Sequence, residues 1–132
     1  MRKYAREIVF CKIYGYILNG ECPAEPDMGL FEEKNLTDDD KKYIDEIFGG
    51  VTRHFEQISR IVEQYSKTFA LERLLKTDLA ALALAIYELD YTDTPPAVCV
   101  NEAVEIAKRY SSEKSAGFVN GLLAAYIKNK GE

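Results

Sequence analysis

Hydrophobic positions recur at three- and four-residue steps along most of the chain, the spacing of one helix face, and no strand-like alternation persists anywhere. Residues 3–18 carry Ile8, Val9, Phe10, Ile13, Tyr14, Ile17 and Leu18 with no proline. They predict a helix that is apolar on most sides and therefore centrally buried. Residues 19–36 hold Gly20, Pro23, Pro26 and Gly29 among acids and predict a loop. Thr37 is suited to cap the next helix, with Asp38, Asp39 and Asp40 in its first turn, where the helix dipole favours negative charge. The apolar stripe of that helix runs from Ile44 through Phe48, Val51, Phe55, Ile58 and Val62 to Tyr65. Gly49-Gly50 inside it predict a kink or a close crossing with another helix, since each glycine costs about 1 kcal/mol against alanine.

Leu71, Leu74 and Leu75 predict a short turn or helix. Thr77 then stands where a cap belongs, ahead of the almost wholly apolar stretch Asp78–Leu89, which predicts a helix enclosed on nearly all sides. Asp93-Thr94-Pro95-Pro96 forbids continuation. Helical spacing resumes over Val98–Tyr110, and Ser111 or Ser112 caps a last helix running to about Lys128 with Phe118, Val119, Leu122, Leu123, Tyr126 and Ile127 as its stripe. Gly117 and Gly121, one turn apart in that helix, predict close backbone contact with another helix. Asn101 and Asn120 predict satisfied polar contacts between helices. The chain reads as all-α, with five to seven helices and no internal repeat.

A length of 132 residues suits one domain, long enough to bury a real core without staples. No stretch approaches the roughly 18 apolar residues of a membrane span, and the start lacks the pattern of a signal peptide, so the expected address is cytoplasmic. Cys11, Cys22 and Cys99 are too widely spaced for a disulfide framework or a metal knuckle, and read as small residues in a reducing compartment. His54 is the single histidine. Glu102 and Glu105 sit one turn apart, but a di-iron helical site needs paired Glu-x-x-His motifs, so they read as surface carboxylates. There is no Gly-rich phosphate loop and no nucleophile near a histidine in sequence. Catalysis, a metal and a cofactor are all unexpected, and binding is left.

The net charge of −5 is unevenly spread. Glu21 to Phe48 holds ten acids against three lysines, so that segment carries −7 and the remainder +2. The first 14 residues set Arg2, Lys3, Arg6 and Lys12 against Glu7 alone. A local basic patch decides where a polyanion lands more than the total does. Nine tyrosines and six phenylalanines add rings that, where exposed beside cations, can stack on unpaired bases at about 1–3 kcal/mol each.

Several runs occur in order: Ala5-Arg6-Glu7, Ala85-Ile86-Tyr87-Glu88-Leu89, Asn101-Glu102-Ala103-Val104-Glu105-Ile106-Ala107-Lys108, Ser112-Glu113-Lys114-Ser115 and Phe118-Val119-Asn120-Gly121-Leu122-Leu123. Together they resemble, over essentially the whole chain, the NusB family of bacterial transcription antitermination factors. The resemblance implies a compact all-helical fold of about seven helices in two packed subdomains, about 1–68 and 69–132. It further implies pairing with the ribosomal protein NusE, binding of boxA-type single-stranded RNA in ribosomal RNA leader transcripts, and a place in the RNA polymerase antitermination complex. Homodimers that cover the RNA-binding face also occur in the family.

Carried onto this sequence, the resemblance implies that Arg2, Lys3 and Arg6 contact phosphates, where a guanidinium can grip two oxygens at once. Tyr14 and Phe118 are implied to meet unpaired bases. Asp78 is implied to accept from a base edge, and Lys114 to border the NusE and RNA surfaces. The basic arm is thin, Ala83 stands where an arginine is common, and Gly117 where a lysine is. Each lost cation weakens a salt-dependent interaction, so RNA binding is expected to be feeble alone and useful with NusE. The same departures leave room for a homodimeric helical interaction module without selective RNA binding.

Overall fold

A computed structural model describes residues 2–19, 36–67 and 70–130. The loop expected over 19–36 therefore falls, apart from its ends, outside the described residues. Among them are six α-helices: α1 (Arg2–Asn19), α2 (Asp38–Arg53), α3 (Phe55–Tyr65), α4 (Lys76–Tyr91), α5 (Pro96–Tyr110) and α6 (Glu113–Lys130). A single 3₁₀ turn, Leu71–Arg73, precedes α4. The described residues contain no strand, and no helix among them is long and apolar enough to cross a membrane.

The all-round apolar helices sit where their composition sends them. In α4 every residue from Asp78 to Ile86 is buried, and α4 packs against all five other helices. In α1 the buried run is Ala5–Phe10 with Ile13. The amphipathic helices α2, α3 and α5 cover this centre with one face each, through residues such as Ile44, Val51, Ile58, Val62 and Ile106.

Local signals set most of the boundaries. Thr37 Oγ1 accepts from the Asp40 amide at 3.0 Å and Asp40 Oδ2 accepts from the Thr37 amide at 3.3 Å, which closes a reciprocal capping box at the start of α2. The Ser112 hydroxyl accepts from the Ser115 amide at 3.1 Å and caps α6. Pro96 opens α5, two residues earlier than the periodicity predicts, because proline is preformed for a first helical position where its missing N–H costs nothing.

Four expectations need correction. The apolar stripe from Ile44 to Tyr65 is not one helix: it breaks at His54, whose φ of −108° and ψ of 15° leave the helical region. Hydrophobic spacing carries through the break because α2 and α3 bury neighbouring faces against α4. Gly50 is instead the close crossing, since a Cβ there would overlap the ring and hydroxyl of Tyr87 on α4. Thr77 does not cap α4. The helix starts at Lys76 after extended Leu75, with no side-chain cap. Gly117 and Gly121 face open space, and Asn101 and Asn120 are exposed rather than held between helices. Small residues in a helix mark either a crossing or an uncovered face, and spacing alone does not distinguish the two.

Candidate nucleic-acid interface

Helix directions place the candidate residues. Arg6 of α1 lies 4.0 Å from Glu102 of α5, and the Phe10 ring meets that of Tyr110, the last residue of α5, at 4.9 Å. The two helices therefore run in the same sense. The short connection from α4 to α5 makes those two antiparallel, so α1 opposes α4. From Arg6 to Tyr14 the rise is about 12 Å at roughly 1.5 Å per residue. Arg6 is level with Glu88 near the end of α4, whereas Tyr14 is level with its first turns.

At the first of these levels the basic arm is largely engaged by acids. Arg6 is 8% exposed and grips Glu88 with two hydrogen bonds, Nε to Oε1 at 2.9 Å and an Nη to Oε2 at 3.2 Å. Burial works against its charge, but the hydrogen bonds and charge of Glu88 outweigh that and hold the proton more tightly than usual. The Tyr43 and Thr94 hydroxyls donate to the remaining lone pairs of Glu88 at 3.1 Å each. All four positions of the carboxylate are thus filled, and Arg6 is a structural cation with two of its five N–H groups committed to Glu88. Arg2 pairs with Asp39 at 3.0 Å and its guanidinium lies 4.1 Å from the centre of the Tyr43 ring. Both arginines line a surface cavity of about 380 Å³ shared with Asp39, Glu46 and Asp93. Lys42 lines it as well, so three acids offset three cations and the cavity offers a polyanion no net positive charge. Lys3 is exposed.

The other level is built differently. Asp78 and Leu75 at the start of α4 meet Ser112, Lys114, Ser115 and Phe118 at the start of α6 across a cleft of about 270 Å³, with Arg73 of the 3₁₀ turn and Leu74 just after it closing its side. Three of the seven candidate residues, Asp78, Lys114 and Phe118, therefore share one cleft although 40 positions separate the first from the last. Lys114 is exposed and Phe118 half-buried. Asp78 is only 5% exposed, and its Oδ1 has no hydrogen-bond partner among the described residues. Burial raises its carboxyl above the ordinary value, an effect that a hydrogen bond from Ser115 partly reverses. Tyr14 is half-buried against the core and is not among the residues that line this cleft. The seven residues thus divide between the two ends of α1.

Sequence reasoning missed Arg73, which lies in the 3₁₀ turn just before α4 and has no motif to mark it. It also missed Glu88 as the anchor of Arg6, although a glutamate in so apolar a stretch is a signal that a buried charge awaits a partner. No group of three or more His, Cys, Asp or Glu side chains that could hold a metal occurs among the described residues. Burial pushes the thiols of Cys11 and Cys99 up to about 11, so neither offers a thiolate at neutral pH.

Comparison with known proteins places this geometry in a family. The sequence profile of the NusB family matches residues 3–128. A transcription antitermination protein NusB from Thermoanaerobacter sp. (strain X514) is 39% identical over 130 residues, covering 98% of this chain and 92% of that protein. A solved structure of the antitermination factors NusB and NusE in complex with dsRNA is similar with a TM-score of 0.83 and 33% identity, covering 97% of this chain and 96% of the other. A crystal form of T. maritima NusB gives a TM-score of 0.82 at 30% identity, covering 97% and 91%.

Proposed function

The chain belongs to the NusB family, and from that premise we propose that it is a transcription antitermination factor: an RNA-binding adaptor that pairs with NusE and holds boxA-type RNA for the RNA polymerase antitermination complex. The observation that carries the RNA-facing part of this reading is the cleft between the starts of α4 and α6. It combines an aromatic ring, two cations and a buried acceptor, the three kinds of group that read unpaired nucleotides. Lys3, Lys114, Arg73 and Phe118 carry the contact in this reading, with Asp78 in the cleft and Tyr14 outside it. Arg2 joins them only by leaving Asp39. Arg6 is left out, because its guanidinium is committed to Glu88.

The protein acts in the cytoplasm by binding, without catalysis. Its helices divide into an amino-terminal subdomain of about 1–68 and a carboxy-terminal one of about 69–132. A second reading, a homodimeric interaction module without RNA selectivity, draws on the engagement of Arg2 and Arg6 by Asp39 and Glu88.

The test is fluorescence anisotropy of labelled boxA-type and scrambled RNA titrated with the preformed complex of the chain and NusE. Selective binding of boxA-type RNA is expected, weakened roughly 5- to 150-fold by Phe118→Ala, the equivalent of about 1–3 kcal/mol of lost stacking. Lys3→Ala with Lys114→Ala is expected to lower the log–log salt slope by about 0.7 per cation removed while NusE association persists. Equal affinity for boxA-type and scrambled RNA would establish the interaction module instead.

A further inference from the structure

We propose that Asp39 is a built-in competitor for RNA: it latches Arg2 across the starts of α1 and α2, and a strand must displace it before that guanidinium meets a phosphate. This rests on the reading of the protein as an RNA-binding adaptor and names what regulates the end of its basic arm.

Asp39 and Tyr43 stand four residues apart on α2, so one helix face offers Arg2 both a carboxylate and a ring. Asp39 Oδ2 accepts from an Nη group of Arg2 at 3.0 Å, and the centre of the Tyr43 ring lies 4.1 Å from the guanidinium carbon. The side chains of this pair are 39% and 79% exposed, whereas those of Arg6 and Glu88 are buried. The arm therefore ends in two unlike contacts. Arg6 makes a buried, two-bonded tie, and Arg2 makes a surface contact through one hydrogen bond. A contact of the second kind breaks readily, because water solvates both charges once they part. A phosphate binds a guanidinium more tightly, since it accepts two of its N–H bonds at once.

The surroundings decide what the latch does. While the pair is made, an approaching strand meets Asp39, Glu46 and Asp93 along the same cavity of about 380 Å³. Its other cations are engaged as well: Arg6 by Glu88 at 2.9 Å, and Lys42 by Glu46 of its own helix at 3.9 Å. The first turn of α1 holds no acid. With Asp39 displaced, Arg2 and Lys3 add to the positive end of that helix's dipole, and together they form a seat for a phosphate. The Tyr43 ring stays beneath the guanidinium in either state and keeps it near the cavity. Asp39 thus lowers the affinity of the arm for any polyanion by the strength of one exposed ion pair.

The experiment measures boxA-type RNA binding by fluorescence anisotropy for the chain–NusE complex carrying Asp39→Asn, Arg2→Ala or both. Asp39→Asn removes the charge and leaves Thr37 and Asp40, which close the capping box of α2, untouched. It is expected to tighten binding about two- to five-fold at low salt, the size of an exposed ion pair, and the gain should vanish in the Arg2→Ala background. Asp38→Asn removes the same charge from the neighbouring exposed position, and is expected to change affinity by less than about 1.5-fold, since an unpaired surface charge is screened. An equal gain from Asp38→Asn, or a gain that survives Arg2→Ala, would indicate a diffuse field in place of a latch and overturn the inference. Unchanged affinity in Asp39→Asn with boxA selectivity intact would overturn the latch and leave the adaptor reading standing. Absence of boxA selectivity in the unmodified complex would overturn both. Loss of NusE association in Asp39→Asn would assign the carboxylate to the protein partner and overturn the inference equally.

Discussion

Replacing Arg6 with methionine is expected to destabilise the fold severely, and the arrangement around Glu88 sets the size of the effect. Glu88 is 2% exposed. Two of its four hydrogen bonds come from the Arg6 guanidinium and two from the Tyr43 and Thr94 hydroxyls. Arg6→Met keeps an apolar stem of similar length but strips away the compensating charge. Breaking a buried pair from one side costs about 3–5 kcal/mol, a large share of a total stability of roughly 5–15 kcal/mol. At a few degrees per kcal/mol for a chain of this size, the midpoint of thermal unfolding falls by about 10–20 °C. Urea denaturation followed by circular dichroism measures the loss directly. Arg6→Met/Glu88→Gln is the informative partner variant, because glutamine carries no charge, its oxygen still accepts from one of the Tyr43 and Thr94 hydroxyls, and its amide NH2 can donate to the oxygen of the other. That double change is expected to recover at least half of the loss. A single-variant cost under about 1 kcal/mol, or a double variant as unstable as the sum of its singles, would refute the assignment of this pair as the internal tie between α1 and α4. The same calculation makes Arg6→Ala a test of folding rather than of RNA contact.

Two further outcomes follow from packing and from pH. Gly50→Ala would drive a Cβ into the rigid Tyr87 ring and is expected to cost about 1–3 kcal/mol, whereas Gly121→Ala enters open space within a helix and is expected to stabilise by up to about 1 kcal/mol; urea midpoints moving in the same direction would contradict the difference in their surroundings. Asp78 titrates above its ordinary 3.8 in the folded protein, so the unfolded state ionises it first and stability is lost as pH rises from that value through the raised one. Asp78→Asn is therefore expected to unfold at a higher urea concentration than the parent at pH 7 and to lose that advantage near pH 3; an unchanged midpoint at neutral pH would mean that the buried carboxylate has found a donor in the free protein.

Much of the secondary structure was legible because it is decided within a few residues. The reciprocal bonds of Thr37 and Asp40 and the serine cap of α6 are interactions over three positions, and the residue types announce them, whereas the start of α5 at Pro96 lies two residues ahead of the expected Val98. The central place of α1 and α4 also followed from composition, since a helix apolar on every side has nowhere to go except the interior. Candidate residues that share the α4–α6 cleft, Asp78, Lys114 and Phe118, came from the family resemblance, and no periodicity pointed to them. Arg73 escaped notice because nothing within its own turn marks it.

What the sequence by itself determined, then, is which segments coil and which of them are enclosed. Only the tertiary structure decided what each charge does. Arg2, Lys3 and Arg6 are near neighbours in one basic arm, yet Arg6 is taken by Glu88 from 82 positions away, Arg2 by Asp39 from 37 away, and Lys3 stays exposed. Coulomb attraction and desolvation depend on distance in space and on burial, and neither quantity is written along the chain. The two glycine pairs carry the same lesson, because Gly50 meets a ring and Gly121 meets open space for reasons that lie wholly in the neighbouring helices.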